Sequence, residues 1–236
     1  MMISPTYRIL NKKSLLAAAS AFPELLQARH PESHKGTHGS LAIIGGASGM
    51  GGSLVLAATA AMYQGCGKVW AGFCQHTLPF PVVPERPEIM LATAADLARR
   101  ADISAWVVGC GMGQSEQASA LLTQVLVTPQ PLLLDADALN LLAQSPVLQQ
   151  AAAQHSHLIL TPHPAEAARL LSCNTEYIQS NRPEAAAELS RRFQAVAVLK
   201  GRHTLIATRS SPHPMAACIP IPAAMPAWPP QAAVMC

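Results

Sequence analysis

Charge is scarce in this chain. Only 12% of its 236 residues are Asp, Glu, Lys or Arg, and the aspartates number four: Asp96, Asp102, Asp135 and Asp137. Carboxylate chemistry therefore has few places to sit. The formal net charge is only +3, from 16 basic and 13 acidic residues. No dense Lys/Arg cluster is present, which removes the electrostatic case for nucleic acid or an anionic membrane as partner. No apolar run reaches the roughly 18 residues that a membrane span requires. The cysteines, Cys66, Cys74, Cys110, Cys173, Cys218 and Cys236, show neither CxxC nor Cys/His ligand spacing. They read as reduced thiols of a cytoplasmic protein, with no protein metal centre. A secretory leader is the competing reading of the start, where Lys12-Lys13 precede the apolar stretch Ser14–Phe22 and Ala19-Ser20-Ala21. That stretch is short and begins late, and an amphipathic helix covering the body fits it as well.

Apolar residues are plentiful, at 50% of the chain with a mean hydropathy of +0.23, enough to bury a sizeable core. They fall into short, non-alternating runs that suit strands buried on both faces. Leu41–Ile44 ends in Gly45-Gly46, Val69–Ala71 in Gly72, and Ala105–Val108 in Gly109-Cys110-Gly111. Leu132–Leu134 ends in Asp135-Ala136-Asp137, Leu158–Leu160 in Thr161-Pro162-His163, and Val196–Leu199 in Lys200-Gly201. Helical stretches lie between them. Leu54–Gln64 is Ala-rich and uncharged and reads as buried, Gln114–Val127 follows a glycine turn, and Pro164–Leu171 is short. Pro183–Phe193 has Pro and Glu in its first turn and Arg191-Arg192 in its last, matching the helix dipole. This alternation predicts an α/β domain with a mostly parallel central sheet flanked by helices. Ligands of such sheets bind beyond the carboxyl ends of the strands. Every unusual tripeptide above falls at such an end, which points to one ligand cleft.

Six motifs carry chemistry. His34-Lys35-Gly36-Thr37-His38-Gly39 sets a lysine between glycines just before the first strand, as a phosphate contact or a solvated turn. Gly45–Ser53 holds five glycines in nine residues ahead of an uncharged helix, so backbone and helix N-terminus can approach an anion. Its spacing fits neither GxxxxGK[ST] nor the dinucleotide GxGxxG followed by an acid on the next strand. Gly109–Gly113 matches GxGxxG at its first two glycines only. In Asp135-Ala136-Asp137-Ala138-Leu139-Asn140 the two carboxylates can hold Mg2+ through water or orient a polar substrate, or Asp137 is a helix N-cap. In Thr161–Glu166 two prolines clamp His163. Lys200-Gly201-Arg202-His203-Thr204 closes an apolar strand as a nucleotide contact or a basic turn.

Taken in order, HKGTHG, IIGGASGMGGS, VVGCGMG, LLLDADALN, LTPHPAE and VLKGRHT resemble the ADP-dependent NAD(P)H-hydrate dehydratases, of ribokinase-like fold. The resemblance runs from about His34 to Ala207. It implies an enzyme of nicotinamide nucleotide repair. The hydroxyl of hydrated NADH or NADPH is phosphorylated by ADP or ATP with Mg2+, and phosphate is then eliminated. It implies that Ser53, Gly111 and His163 border the hydrated nucleotide. Lys200, Gly201, Arg202, His203 and Thr204 would line the adenine nucleotide's phosphates, and Asp135 and Asn140 would shape the cleft floor. Cys110, Met112, Ser53 and Ala165 stand where the family usually has Pro, Leu, Ala and Gly. A small-molecule kinase of the same fold and a nucleotide-binding protein without turnover remain as alternatives, and a homo-oligomer is compatible with all of them.

The family continues into a Gly-rich GTGD-type segment, whose N–H groups form an anion hole and whose Asp is the catalytic base, and into closing helices. This chain has no Asp after Asp137 and no Gly after Gly201, and residues 212–236 contain seven prolines without Asp, Glu, Lys or Arg. The expected organisation is a helical extension over 1–33, a dehydratase core over 34–208 lacking its closing part, and a Pro-rich irregular tail over 209–236. The tail's composition is that of out-of-frame translation, and the expected consequence is impaired turnover.

Overall fold

A computed structural model describes residues 30–209 together with Ser20. The expected helical extension, the competing leader and the Pro-rich tail fall almost wholly outside the described residues. All elements named below belong to one compact unit.

Eight strands form one sheet: β1 (Ser40–Gly45), β2 (Lys68–Phe73), β3 (Met90–Thr93), β4 (Ala105–Cys110), β5 (Leu132–Leu134), β6 (Leu158–Leu160), β7 (Val196–Leu199) and β8 (Leu205–Ala207). Their spatial order is β3-β2-β1-β4-β5-β6-β7-β8. Every neighbouring pair is parallel except β7 and β8, which are antiparallel. The expected mostly parallel sheet is therefore observed. The chain lays β2 and β3 to one side of β1 and then returns to add β4 on the other. The strand order thus reverses between β1 and β4, where an open α/β sheet leaves a crevice.

The helices are α1 (Gly51–Tyr63), α2 (Ala94–Leu97), α3 (Glu116–Leu126), α4 (Asp137–Gln144), α5 (Pro146–Gln154), α6 (Pro164–Leu171), α7 (Thr175–Ser180) and α8 (Arg182–Phe193). Local chemistry starts several of them. The Ser115 side chain accepts from the Ala118 N–H to begin α3, and Ser145 with Pro146 begins α5 in the same way. In α8, Glu184 sits in the first turn and Arg191 and Arg192 in the last.

Alternate residues of each strand face two separate cores. Ile43, Val69, Ala71 and Phe73 meet Leu54 and Ala58 of α1 on one face. Ala42, Ile44, Trp106, Val108, Leu132 and Leu134 join the larger core on the other, with α3, α4, α6 and α8. Removing a fully buried side chain such as Leu54 from such a core costs about 2–5 kcal/mol. The α1 face of the sheet is less completely covered towards β8, where Leu133, Ile159, Val198 and Ile206 are only half-buried.

Two expectations need correction. The uncharged helix begins at Gly51 rather than Leu54, because the loop glycines themselves form its first turn. It is also not buried all round, since Leu56 and Tyr63 lie on an exposed side at 67% and 71% exposure. Strand β3 was missed. Its run Ile89-Met90-Leu91-Ala92 passes into Thr93-Ala94 and helix α2 rather than stopping at a glycine or a reactive side chain, so nothing at its end marks it off as a strand.

Candidate active site

The ends of β1, β4, β5, β6 and β7 are consecutive along the carboxyl edge of the sheet. Each carries one of the motifs singled out in the sequence.

At the β1/β4 crevice two glycine loops are stitched together. Gly46 N–H donates to the Cys110 carbonyl at 3.0 Å, and Ala47 N–H to the Gly111 carbonyl at 2.7 Å. Ser53, in the first turn of α1, donates its hydroxyl to the carbonyls of Met50 (2.8 Å) and Cys110 (2.9 Å). Gly111 has φ +63, and a Cβ there would lie 2.5 Å from the Ser53 Oγ. Only glycine allows both the backbone conformation and the contact. Gly109, with φ +127, comes so close to Asp135 that a Cβ would overlap its carbonyl. Ser53 and Gly111 are thus brought together, with the Ser53 hydroxyl committed to backbone carbonyls. Helix α1 has no side-chain cap and no acid in its first turn, and a Cβ on Gly49 or Gly52 would meet open space. Its first N–H groups therefore face a region an anion can enter.

Asp135 and Asp137 play different parts at the end of β5. Asp135 Oδ1 accepts from Lys200 Nζ at 2.6 Å, a pair reaching across the end of β6. Asp137 Oδ2 accepts from the Gly113 N–H at 3.0 Å and so ties α4 to the second glycine loop. The N-cap reading of Asp137 is corrected: the cap residue is Ala136, at φ 49 and ψ −118, and Asp137 is the first helical residue. A non-glycine residue held there stores about 1–3 kcal/mol of strain, a frequent mark of a functional turn. Asn140 accepts from Arg169 Nε at 3.0 Å, which joins α4 to α6.

His163 is the N-cap of α6. Its Nδ1 accepts the N–H groups of Ala165 (3.1 Å) and Glu166 (3.3 Å), while Glu166 Oε2 accepts the His163 N–H at 2.8 Å. An Nδ1 that accepts twice leaves the ring proton on Nε2. That nitrogen lies 3.3 Å from Glu166 Oε1 on a side chain 38% exposed. The Pro-clamped imidazole is thus fixed in one tautomer and one orientation.

Lys200 N–H donates to the Pro162 carbonyl at 2.8 Å, which locks the ends of β6 and β7 together. Gly201, Arg202 and His203 are exposed and Thr204 is half-buried, in the turn between β7 and β8. Lys35 is not brought to this edge. Its loop precedes β1 and packs against Gly67 just before β2, at the opposite end of the strands. The cysteines within the described residues, Cys66, Cys74, Cys110 and Cys173, are thiols. Burial, reinforced by the Asp137 charge, pushes the Cys74 thiol up to about 12, which keeps it protonated and unreactive beside the site.

Two residues that the motifs do not contain also shape this edge. Gln75 Nε2 donates to the Gly46 carbonyl at 2.8 Å. Arg182 Nη2 reaches the carbonyls of Leu199 and Lys200 at 3.3 Å and of His203 at 2.8 Å. Both act on backbone groups remote in sequence, and no local pattern marks them. Among the described residues no group of three or more His, Cys, Asp or Glu is arranged to hold a metal ion.

A mostly parallel sheet with glycine loops and Pro-clamped His163 at its carboxyl edge defines an α/β protein with a candidate ligand cleft at that edge. The family model described as NAD(P)H-hydrate dehydratase matches residues 41–219, and the chain belongs to that family. It is 51% identical over 187 residues to an ADP-dependent (S)-NAD(P)H-hydrate dehydratase of Neisseria meningitidis, covering 78% of this chain and 63% of the relative. It is 38% identical over 184 residues to a bifunctional NAD(P)H-hydrate repair enzyme of Escherichia coli, covering 76% of this chain and 34% of that one. The chain therefore spans less than two thirds of the length of these relatives. A crystal structure of the ADP/ATP-dependent NAD(P)H-hydrate dehydratase of Bacillus subtilis, co-crystallised with ATP and Mg2+, superposes with a TM-score of 0.64 at 31% identity, covering 78% of this chain and 65% of that one. A ribokinase-like superfamily protein of Enterococcus faecalis superposes at 0.67 with 21% identity, covering 78% and 64%, and supports the fold alone. No helix among the described residues is long and apolar enough to cross a membrane.

Proposed function

We propose that this chain binds ADP or ATP and hydrated NADH or NADPH along the carboxyl edge of its sheet, as a protein of cytoplasmic nicotinamide nucleotide repair. The observation that carries this reading is the run of consecutive strand ends bearing Ser53 with Gly111, Asp135, His163 and Lys200. The hydrated ring lies against Gly111, Ser53 and His163, and the phosphates of the adenine nucleotide lie against Lys200 to Thr204. The reaction transfers a phosphoryl group from ADP to the ring hydroxyl, leaving AMP. Elimination of inorganic phosphate then restores the nicotinamide double bond.

The residues present suit Mg2+ as a companion of the nucleotide. Mg2+ keeps several waters and needs only one or two carboxylates beside substrate phosphates, and Asp135 and Asp137 are aspartates at this edge. When bound, it would neutralise phosphate charge. The chain's own groups supply the rest. Lys200 offers a cation turned towards the cleft, with 40% of its side chain exposed. His163 offers an Nε2–H for a ring substituent or phosphate oxygen. The stitched glycine loops hold the N-terminus of α1 open to an anion.

A second reading, nucleotide binding with little turnover, is favoured by one fact. Residues 138–236 contain no Asp to serve as the base that the family draws from its GTGD-type segment. One assay separates the two. Purified 236-residue chain is incubated with hydrated NADH, ADP and Mg2+, and the near-ultraviolet absorbance of NADH is followed alongside ADP binding by calorimetry. Binding with absorbance recovery supports the dehydratase, binding alone supports the second reading, and absence of binding overturns both.

A further inference from the structure

Arg182 stands at the wrong end of its helix. It is the first residue of α8, where the helix dipole disfavours a positive charge, while the other charges of α8 obey that dipole. Its guanidinium instead turns to the β7–β8 loop. Nη2 carries two N–H groups and faces three carbonyls, His203 at 2.8 Å and Leu199 and Lys200 at 3.3 Å, so two of them share one hydrogen in a three-centre bond. Gly201 lies under the guanidinium so closely that a Cβ would sit 2.7 Å from both Nη1 and Nη2.

In a trans peptide the C=O and the N–H point in opposite directions. Drawing in the Lys200 and His203 carbonyls therefore turns the N–H groups of Gly201 and Thr204 away from Arg182. Neither N–H donates to a backbone acceptor among the described residues. The Lys200 N–H, which belongs to the same peptide unit as the Leu199 carbonyl, is already held by Pro162. The loop thus presents two uncommitted backbone donors beside the Lys200 ammonium, the arrangement that receives phosphate oxygens.

We propose that Arg182 is a positioning residue for phosphate recognition. By holding three carbonyls it aims the Gly201 and Thr204 N–H groups at the phosphates of a nucleoside diphosphate, without touching the ligand. The proposal rests on the nucleotide reading given above.

The test is ADP binding by calorimetry to the full chain, wild type and Arg182→Met. Loss of even one backbone hydrogen bond to a charged phosphate should weaken ADP binding by roughly tenfold or more. Added guanidinium ion, at concentrations that do not denature, should restore part of the affinity, which a merely structural role would not allow. Should Arg182→Met fail to fold, Gly201→Ala displaces the guanidinium while keeping Arg182, and the same loss is expected. Unchanged ADP affinity in the folded variant overturns the proposal. If the wild type binds inorganic pyrophosphate but not ADP, and Arg182→Met loses the pyrophosphate, the positioning role stands and the nucleotide reading fails. If the wild type binds neither, both fail.

Discussion

Asp135 and Lys200 form an ion pair to which the proposed reading gives a part in binding as well as in structure. The two side chains lie at 28% and 40% exposure with Nζ and Oδ1 2.6 Å apart. A pair this accessible contributes only about 0–1 kcal/mol to folding. Its value lies in aim, because the carboxylate holds a flexible ammonium over the end of β6, above Pro162 and His163. Lys200→Ala should therefore weaken ADP binding by about 10- to 100-fold, the worth of one hydrogen bond to a charged group. The melting temperature should move by no more than about 2–4 °C, the shift that 1 kcal/mol produces in a domain of this size. Asp135→Asn keeps the ammonium but releases its aim and should give a smaller loss of affinity. A large drop in melting temperature with normal ADP affinity would make Lys200 structural. The pair also marks a limit of sequence reading. Each residue was identified as a site residue by its position after an apolar run, yet their partnership spans 65 positions, and no local pattern encodes it. Arg182 and Gln75 escaped for the same reason.

At the scale of elements, strand ends were legible because burial on both faces writes an uninterrupted apolar run that stops at Gly, Asp, His or Lys. Helix α6 was legible to the residue, since Pro164 and Glu166 are start signals in themselves. Edge strand β3 was not, because its run Ile89–Ala92 passes through Thr93 straight into helix α2 with no Gly, Asp, His or Lys to mark its end. Helix α5 holds a feature no periodicity announces. Its C-cap is His155, only 5% exposed, with Nδ1 accepting the His157 N–H at 3.2 Å. Burial, the largest influence, lowers its folded pKa below the ordinary 6.5. Between those two values the unfolded chain binds the proton more readily than the folded one, so stability rises with pH there. The contribution is complete above about 6.5 and is lost as pH falls through that window. The melting temperature should thus decline on acidification below about pH 6.5, and His155→Gln should flatten that part of the profile. An equally steep profile in His155→Gln would assign the decline to other groups.

At the scale of the molecule, binding and turnover draw on different parts of the family's fold. In the proposed reading, binding would draw on the loops Gly45–Ser53 and Gly109–Gly113, on His163, and on Lys200 to Thr204, which lie at one edge of one sheet. Turnover draws on a backbone anion hole and a carboxylate that the family resemblance assigns to a GTGD-type segment, and this chain has no Asp after Asp137 and no Gly after Gly201. Loss of one preorganised oxyanion donor costs about 100- to 1000-fold in rate, and loss of a general base about another 100- to 10,000-fold. The two are not additive within one site, so their product is an upper bound. Even the smaller figure brings a slow repair reaction close to background. The chain of 236 residues should therefore bind ADP while restoring hydrated NADH very slowly. Leu133, Ile159, Val198 and Ile206 form a half-buried apolar row on the face that α1 covers over β1, β2 and β4. Appending a GTGD-type segment with apolar helices after Ala207 should cover that row, supply the base and raise turnover by about 100-fold or more. Near-normal turnover by the 236-residue chain itself would show that another group removes the proton. Asp135 and Asp137, the aspartates at this edge, would be the residues to replace first, because His163 carries its ring proton on Nε2 and its Nδ1 already accepts two N–H groups.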